Sequence, residues 1–244
     1  MKDQKFVLIT GAAGGVGRAT VKLFNEKGWR VIGVDRNPFG KGFPEGGLFI
    51  QADISDPVQL EAIYDHVSQF TDTLDAVVNN AAIQIVKPLL ETSVEEWDSV
   101  MASNLRTVFL GAKLAHPLLK NRGGGAFVNV SSVHAVATSP NVSSYAASKG
   151  GLLALTRSMA IEFARDNIRV NAILPGAVNT PMLSEHLDQA GRESLARKTV
   201  NGRIGKPLEI AHAIYFLADE EQSSFMTGQS ILVDGGATAK LSTE

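Results

Sequence analysis

The sequence predicts a doubly wound α/β fold: a parallel sheet of about seven strands with helices on both faces, forming a single domain over residues 1–244. Three observations predict it. Short continuous apolar runs alternate with longer segments of helical spacing, the pattern of strands buried on both faces and joined by helices. Gly11, Asp35, Asp53, Asn79, Ser132 and Pro175 each lie just past the carboxyl end of a predicted strand, the edge at which open parallel sheets hold ligands. No internal repeat, linker or low-complexity tract interrupts the chain, whose 244 residues suffice for a sizeable core.

Composition narrows the function. Charged residues make up 20% of the chain and the net charge is -2, so neither nucleic acid nor an anionic membrane surface is an expected partner. The absence of cysteine excludes disulfides and thiolate metal sites and fits a reducing compartment. Residues 1–5 run directly into a strand pattern without a signal-peptide core, and no apolar run approaches the roughly 20 residues needed to span a bilayer. These readings point to a soluble cytoplasmic protein without a metal.

Phe6-Val7-Leu8-Ile9 is the first strand. It ends at Thr10-Gly11-Ala12-Ala13-Gly14-Gly15-Val16-Gly17, and a helical pattern follows through Lys27. Glycines between a strand and a helix start let a pyrophosphate approach the free N–H groups, although a plain glycine-rich turn accounts for the spacing equally well. The second strand, Arg30–Val34, stops at Asp35, a carboxylate able to accept both ribose hydroxyls of adenosine and to repel a 2′-phosphate. Arg36 can counter that repulsion, yet no basic residue occupies the glycine loop. The balance favours NAD over NADP without excluding NADP.

The third strand, residues 48–52, ends at Asp53-Ile54, a position for contacts to the adenine or for a helix cap. Asp56-Pro57 has the form of an N-cap followed by proline and opens a helix through about Phe70. The fourth strand, residues 74–78, runs into Asn79-Asn80-Ala81-Ala82, where amides can tie strand ends together or touch a ribose. Gln84 follows. Ser93-Val94-Glu95-Glu96 has capping-box spacing and starts one long helix containing Asn104, which needs hydrogen-bond partners if buried.

Residues 126–130 form the fifth strand, which ends at Ser131-Ser132. A helix carrying Tyr145 and Lys149 follows and continues through Ala164. Residues at i and i+4 share a helix face, so the phenol and the amine can look into one cleft. A nearby cation and the positive end of the helix dipole both favour a phenolate, while Ser132 supplies a donor. The sixth strand, residues 168–173, is broken by Pro175-Gly176, with Thr180-Pro181 beyond. Residues 182–206 turn polar with weak helical spacing, as a mobile lid or an ordinary surface insertion. Residues 207–218 are an amphipathic helix, and residues 230–233 a last strand.

Taken together, Thr10-Gly11 with Gly15 and Gly17, Asn79-Asn80-Ala81, Asn104, Ser132, Tyr145 with Lys149, and Pro175-Gly176 with Thr180 resemble the short-chain dehydrogenase/reductase family. The resemblance runs from residue 5 to about 236 and implies a Rossmann-like fold and an NAD(P)-dependent oxidoreductase acting on a secondary alcohol or ketone. It implies Tyr145 as general acid/base, Lys149 as its partner and ribose clamp, Ser132 as donor to the substrate oxygen, and Asn104 as part of a proton relay. Thr180 and the backbone near Val178 would lie at the nicotinamide carboxamide, Pro175 and Gly176 would contact the cofactor, and a homotetramer is the implied assembly.

One departure is Ala82, where the family motif usually ends in glycine. Gln84, His134 and His186 are candidates to line the substrate pocket. Gln84-Ile85 and Ser132-Val133-His134 are similar to 3-hydroxybutyrate dehydrogenases, but the lysine with which those enzymes hold a carboxylate is Val142 here. A neutral alcohol, polyol, sugar or cyclic ketone fits as well as a hydroxy acid. Two other readings are a sugar-nucleotide epimerase or dehydratase, set against the short tail after Gly236, and a dinucleotide sensor, set against the complete catalytic set.

Overall fold

The computed structural model describes residues 4–240, apart from the side chain of His186. Residues 1–3, part of the segment expected to lack a signal-peptide core, lie outside the described residues. Seven parallel strands form one sheet in the order β3-β2-β1-β4-β5-β6-β7. They are β1 (Phe6–Thr10), β2 (Arg30–Asp35), β3 (Leu48–Gln51), β4 (Ala76–Asn79), β5 (Gly125–Val130), β6 (Ile168–Pro175) and β7 (Ser230–Val233). Strand order reverses between β1 and β4, which opens a crevice at their carboxyl ends.

The alternation of side chains along each strand sends one set to each face. Leu8, Val77 and Phe127 face α2 (Pro57–Phe70), α4 (Thr107–Arg122) and α5 (Ser143–Phe163) on one side. Ile9, Val78 and Val128 face α1 (Gly15–Glu26) and α8 (Pro207–Ala218) on the other. Both faces are covered, which explains why the strands read as continuous apolar runs.

Local signals act as the sequence predicts at several boundaries. Asp56 caps α2, accepting from the Val58 N–H at 2.9 Å. Ser93 and Glu96 close a capping box at the start of α3 (Val94–Met101). Between α3 and α4, however, the expected single long helix contains a π-helical turn, Ala102–Arg106. Such turns insert a residue and re-aim a side chain, and Asn104 sits inside this one. Residues 182–206 also hold more structure than weak spacing suggests, namely most of α6 (Pro181–His186) and all of α7 (Gln189–Lys198), each opened by a side-chain cap, Thr180 and Asp188. A four-residue helix, α9 (Glu220–Ser223), precedes β7. No described helix is long and apolar enough to cross a membrane.

Candidate active site

The carboxyl ends of β1, β4, β5 and β6 lie side by side on one rim of the sheet, and a chain of polar side chains fixes β1, β4 and β5 to each other. Thr10 at the end of β1 accepts from the N–H groups of Asn80 and Ala81 at 3.1 and 3.2 Å, and the Asn80 amide donates to the Thr10 and Gly11 carbonyls, both at 3.1 Å. Asn79 donates to Asn129 at 2.8 Å, and Asn129 to Thr156 at 2.9 Å, which ties β4 to β5 and β5 to α5. The Asn80 side chain is thus committed to joining strand ends, leaving the backbone of Asn80 and Ala81 to border the cleft.

Tyr145 lies in the first turn of α5 and Lys149 one turn further on, each buried on the face turned to the sheet. Ser132, just past β5, accepts from the His134 N–H at 3.2 Å and acts on the nearby Tyr145 hydroxyl, favouring its charged form. Lys149 is 2% exposed; its Nζ donates to the Val130 carbonyl at 2.8 Å and stands 5.6 Å from the centroid of the Tyr145 ring. Three chemistry-bearing groups from two elements therefore meet, as the sequence predicts.

The electrostatics differ from expectation. Burial holds the Tyr145 hydroxyl above its ordinary value, opposed by the Ser132 hydroxyl. Burial also lowers Lys149, to about 7. Because the ammonium is aimed at the Val130 carbonyl, desolvation dominates both groups and moves each toward its neutral form.

Asn104 is buried with its amide fully used: Oδ1 accepts from the Ile83 N–H at 2.9 Å, while Nδ2 donates to the Ile83 carbonyl at 2.9 Å and to Ser148 at 3.1 Å. Ser148 in turn donates to the Tyr145 carbonyl at 2.7 Å. The side chain thus positions the Ile83–Gln84 segment and α5, and its hydrogen bonds go to Ile83 and Ser148 rather than to Lys149. Sequence reading gave Ser148 no role, and it placed Thr10 in the glycine motif without its part in joining strand ends.

The glycine loop has the shape of a cradle. Gly11 has a φ of +66°, and a Cβ there would stand 2.8 Å from the Ala81 Cα. A Cβ on Gly17 would fall 1.9 Å from the Gly11 carbonyl oxygen, and one on Gly15 2.7 Å from the Thr180 methyl. Gly14 is the N-cap of α1 without a side-chain cap, so the first N–H groups of that helix, at Gly15, Val16 and Gly17, are left to a ligand or to solvent. Asp35 holds this loop, accepting from the Ala13 N–H at 2.9 Å and from the Asn37 N–H at 2.9 Å. These features fit a dinucleotide: backbone donors at a helix start suit a diphosphate, and a carboxylate at the end of β2 suits a ribose.

Other candidates divide. Asp53 is not a helix cap; it accepts from the Ser55 N–H and hydroxyl, both at 2.8 Å. Ile54 and Val16 pack against the two cores, and Arg36 is exposed. Gly176 serves packing against β7, since a Cβ there would meet the Asp234 Cα at 2.9 Å, and Pro175 is the last residue of β6. Val178 forms a bridge with Gly205, closing the base of the 182–206 segment. The His134 ring lies edge-on to Tyr145 with centroids 5.8 Å apart, its Nδ1 is 3.0 Å from the Thr138 hydroxyl, and burial lowers its pKa. Gln84 is half-buried beside the Asn104-held Ile83. His186 ends α6, and its side chain lies outside the described residues.

A family model described as enoyl-(acyl carrier protein) reductase matches residues 11–238. The chain belongs to the short-chain dehydrogenase/reductase family. Among the relatives of this dehydrogenase/reductase is a 3-oxoacyl-(acyl-carrier-protein) reductase of Thermotoga maritima, 39% identical over 96% of this chain and 98% of the relative. A cyclopentanol dehydrogenase of Comamonas sp. is 36% identical over 97% and 98%. The solved structure of ElxO with NADP bound superposes with a TM-score of 0.89 at 28% identity, covering 97% of this chain and all of the other. Membership makes this protein a short-chain oxidoreductase of the dehydrogenase/reductase type.

Proposed function

We propose that the protein transfers a hydride between NAD and a small, neutral secondary alcohol or its ketone, with Tyr145 as general acid/base. The observation that carries this reading is the juxtaposition of Ser132 and the buried Tyr145, with Lys149 one turn along the same helix and the glycine cradle on the same rim of the sheet. Bound nicotinamide would accept or supply the hydride. Gly14, Gly15, Val16 and Gly17 would hold the diphosphate, Asp35 the adenosine ribose, and Asp53 the adenine edge. Asn80, Ala81 and Lys149 would border the nicotinamide ribose, and Val178 and Thr180 the carboxamide.

In the oxidation direction Tyr145 removes the hydroxyl proton, and Ser132 holds the oxygen on which charge develops, a contact stronger in the transition state than in the ground state. Lys149 returns to its charged form as the phenolate forms beside it, so the two groups share one proton whose position follows the reaction. His134, with Gln84, borders the substrate; burial disfavours the charged form of its ring, and Val142 in place of a cation favours an uncharged ligand. The cyclopentanol dehydrogenase among the relatives is consistent with a cyclic alcohol. His186 would lie in the lid formed by residues 182–206, over one catalytic domain.

Asp35 favours NAD over NADP through repulsion of a 2′-phosphate. We also infer a cytoplasmic homotetramer: Phe109 and Ile161 are exposed on the long helices, Leu232 is exposed on the edge strand β7, and a groove of about 500 Å³ is lined by Met101, Leu105 and Phe109. Sedimentation of the purified protein tests the assembly. Cofactor reduction with a panel of cyclic, linear, polyol and hydroxy-acid substrates tests the activity; turnover confined to hydroxy acids would overturn the neutral-substrate reading.

A further inference from the structure

The lid helix α7 carries a guanidinium to the exit of β6. Arg192 is half-buried, donates through Nη1 to the Asn179 side-chain oxygen at 3.2 Å, and donates through Nη2 to the Ser184 hydroxyl. Both acceptors are neutral. Among the described residues no carboxylate pairs with it, whereas Arg203 in the same segment is paired to Glu209 at 2.6 Å. A half-buried cation satisfied only by an amide and a hydroxyl retains an uncompensated charge and gains most from an anion, which its fork of donors binds in two-point fashion.

Its location says which anion. Asn179 adjoins Thr180, and the Thr180 methyl faces the glycine loop so closely that a Cβ on Gly15 would stand 2.7 Å from it. Gly15 is the first residue of α1, whose starting N–H groups have no side-chain cap. Asn179, one of the two residues that hold Arg192, therefore adjoins the residue that packs directly on the glycine cradle. The geometry points to Arg192 as a diphosphate-binding residue: its guanidinium leaves Asn179 and Ser184 and closes on the phosphate oxygens from the lid side, opposite α1. This rests on the dinucleotide reading above. It also couples lid position to nucleotide occupancy, because α7 moves with its arginine.

Binding of NADH, ADP-ribose and adenosine to the full-length wild type, Arg192→Gln and Arg192→Lys tests the role. Arg192→Gln should weaken NADH and ADP-ribose by about tenfold or more, the size of a lost hydrogen bond to a charged group, and leave adenosine unchanged. Arg192→Lys should recover part of the loss. Equal ADP-ribose affinity in wild type and Arg192→Gln overturns the inference while leaving the dinucleotide site standing. An equal loss for adenosine overturns it as well, since that marks a loosened lid rather than a lost phosphate contact. A change confined to KM for carboxylate-bearing substrates assigns the cation to the substrate and also overturns it. A wild type that binds no NADH removes both readings together.

Discussion

Replacing Lys149 by methionine should abolish turnover yet make the nucleotide-free protein more stable at neutral pH. Burial lowers the lysine from 10.5 to about 7. At about 1.4 kcal/mol per pH unit, holding the ammonium in the folded protein costs about 5 kcal/mol well below pH 7 and about 4 kcal/mol at pH 7. The sign follows from the depressed folded value: the side chain opposes folding least above its unfolded pKa of 10.5. The penalty grows as pH falls and is complete below about 7. Methionine removes it but leaves the Val130 carbonyl without its 2.8 Å donor. That loss costs roughly 1–3 kcal/mol. The net gain at pH 7 is about 2 kcal/mol, or about 4–8 °C in Tm for a chain of this size. Near pH 9 the two effects cancel, and above it the wild type becomes the more stable. Calorimetry of both proteins between pH 6 and 10 reads the gap directly. A variant less stable than wild type by the same amount at every pH would show that Lys149 is buried as a well-compensated ion, and would refute the reasoning.

Other substitutions probe the scaffold of the cleft. Asn104→Ala removes three hydrogen bonds of 2.9, 2.9 and 3.1 Å and leaves both backbone groups of Ile83 unpartnered. We expect a loss of about 3 kcal/mol in denaturant unfolding together with a raised KM for substrate. Gly17→Ala puts a methyl 1.9 Å from the Gly11 carbonyl oxygen. Forced repacking of that kind costs about 1–3 kcal/mol, so NADH affinity measured by fluorescence should fall about tenfold or more. Asp35→Ala should narrow the NAD/NADP preference in kcat/KM while weakening both cofactors, because the carboxylate also holds the Ala13 N–H. An unchanged ratio would show that another group selects the cofactor.

Strands were legible because parallel-sheet strands buried on both faces need uninterrupted apolar residues, and the crossover helices left caps in the sequence at Asp56 and at Ser93 with Glu96. The convergence of Ser132, Tyr145 and Lys149 was legible because i,i+4 spacing and a strand end fix where side chains emerge. What Lys149 donates to was not, since the acceptor is a backbone carbonyl and carries no residue signature. Nor was the π-turn around Asn104, whose amide pairs with the distant backbone of Ile83. Nor was the packing at Gly176, where a Cβ would stand 2.9 Å from the Asp234 Cα just past β7. The caps of α6 and α7, Thr180 and Asp188, stood in plain view; low apolar content masked the helices behind them.

The central claim is that one phenol moves the proton while the rest of the cleft binds and orients. Tyr145→Phe tests it most directly, with turnover on the best alcohol or ketone of the panel and NADH affinity measured on the same preparation. The account predicts that kcat falls by about 10²–10⁴, with NADH binding changed little. Turnover retained near the wild-type rate would contradict it.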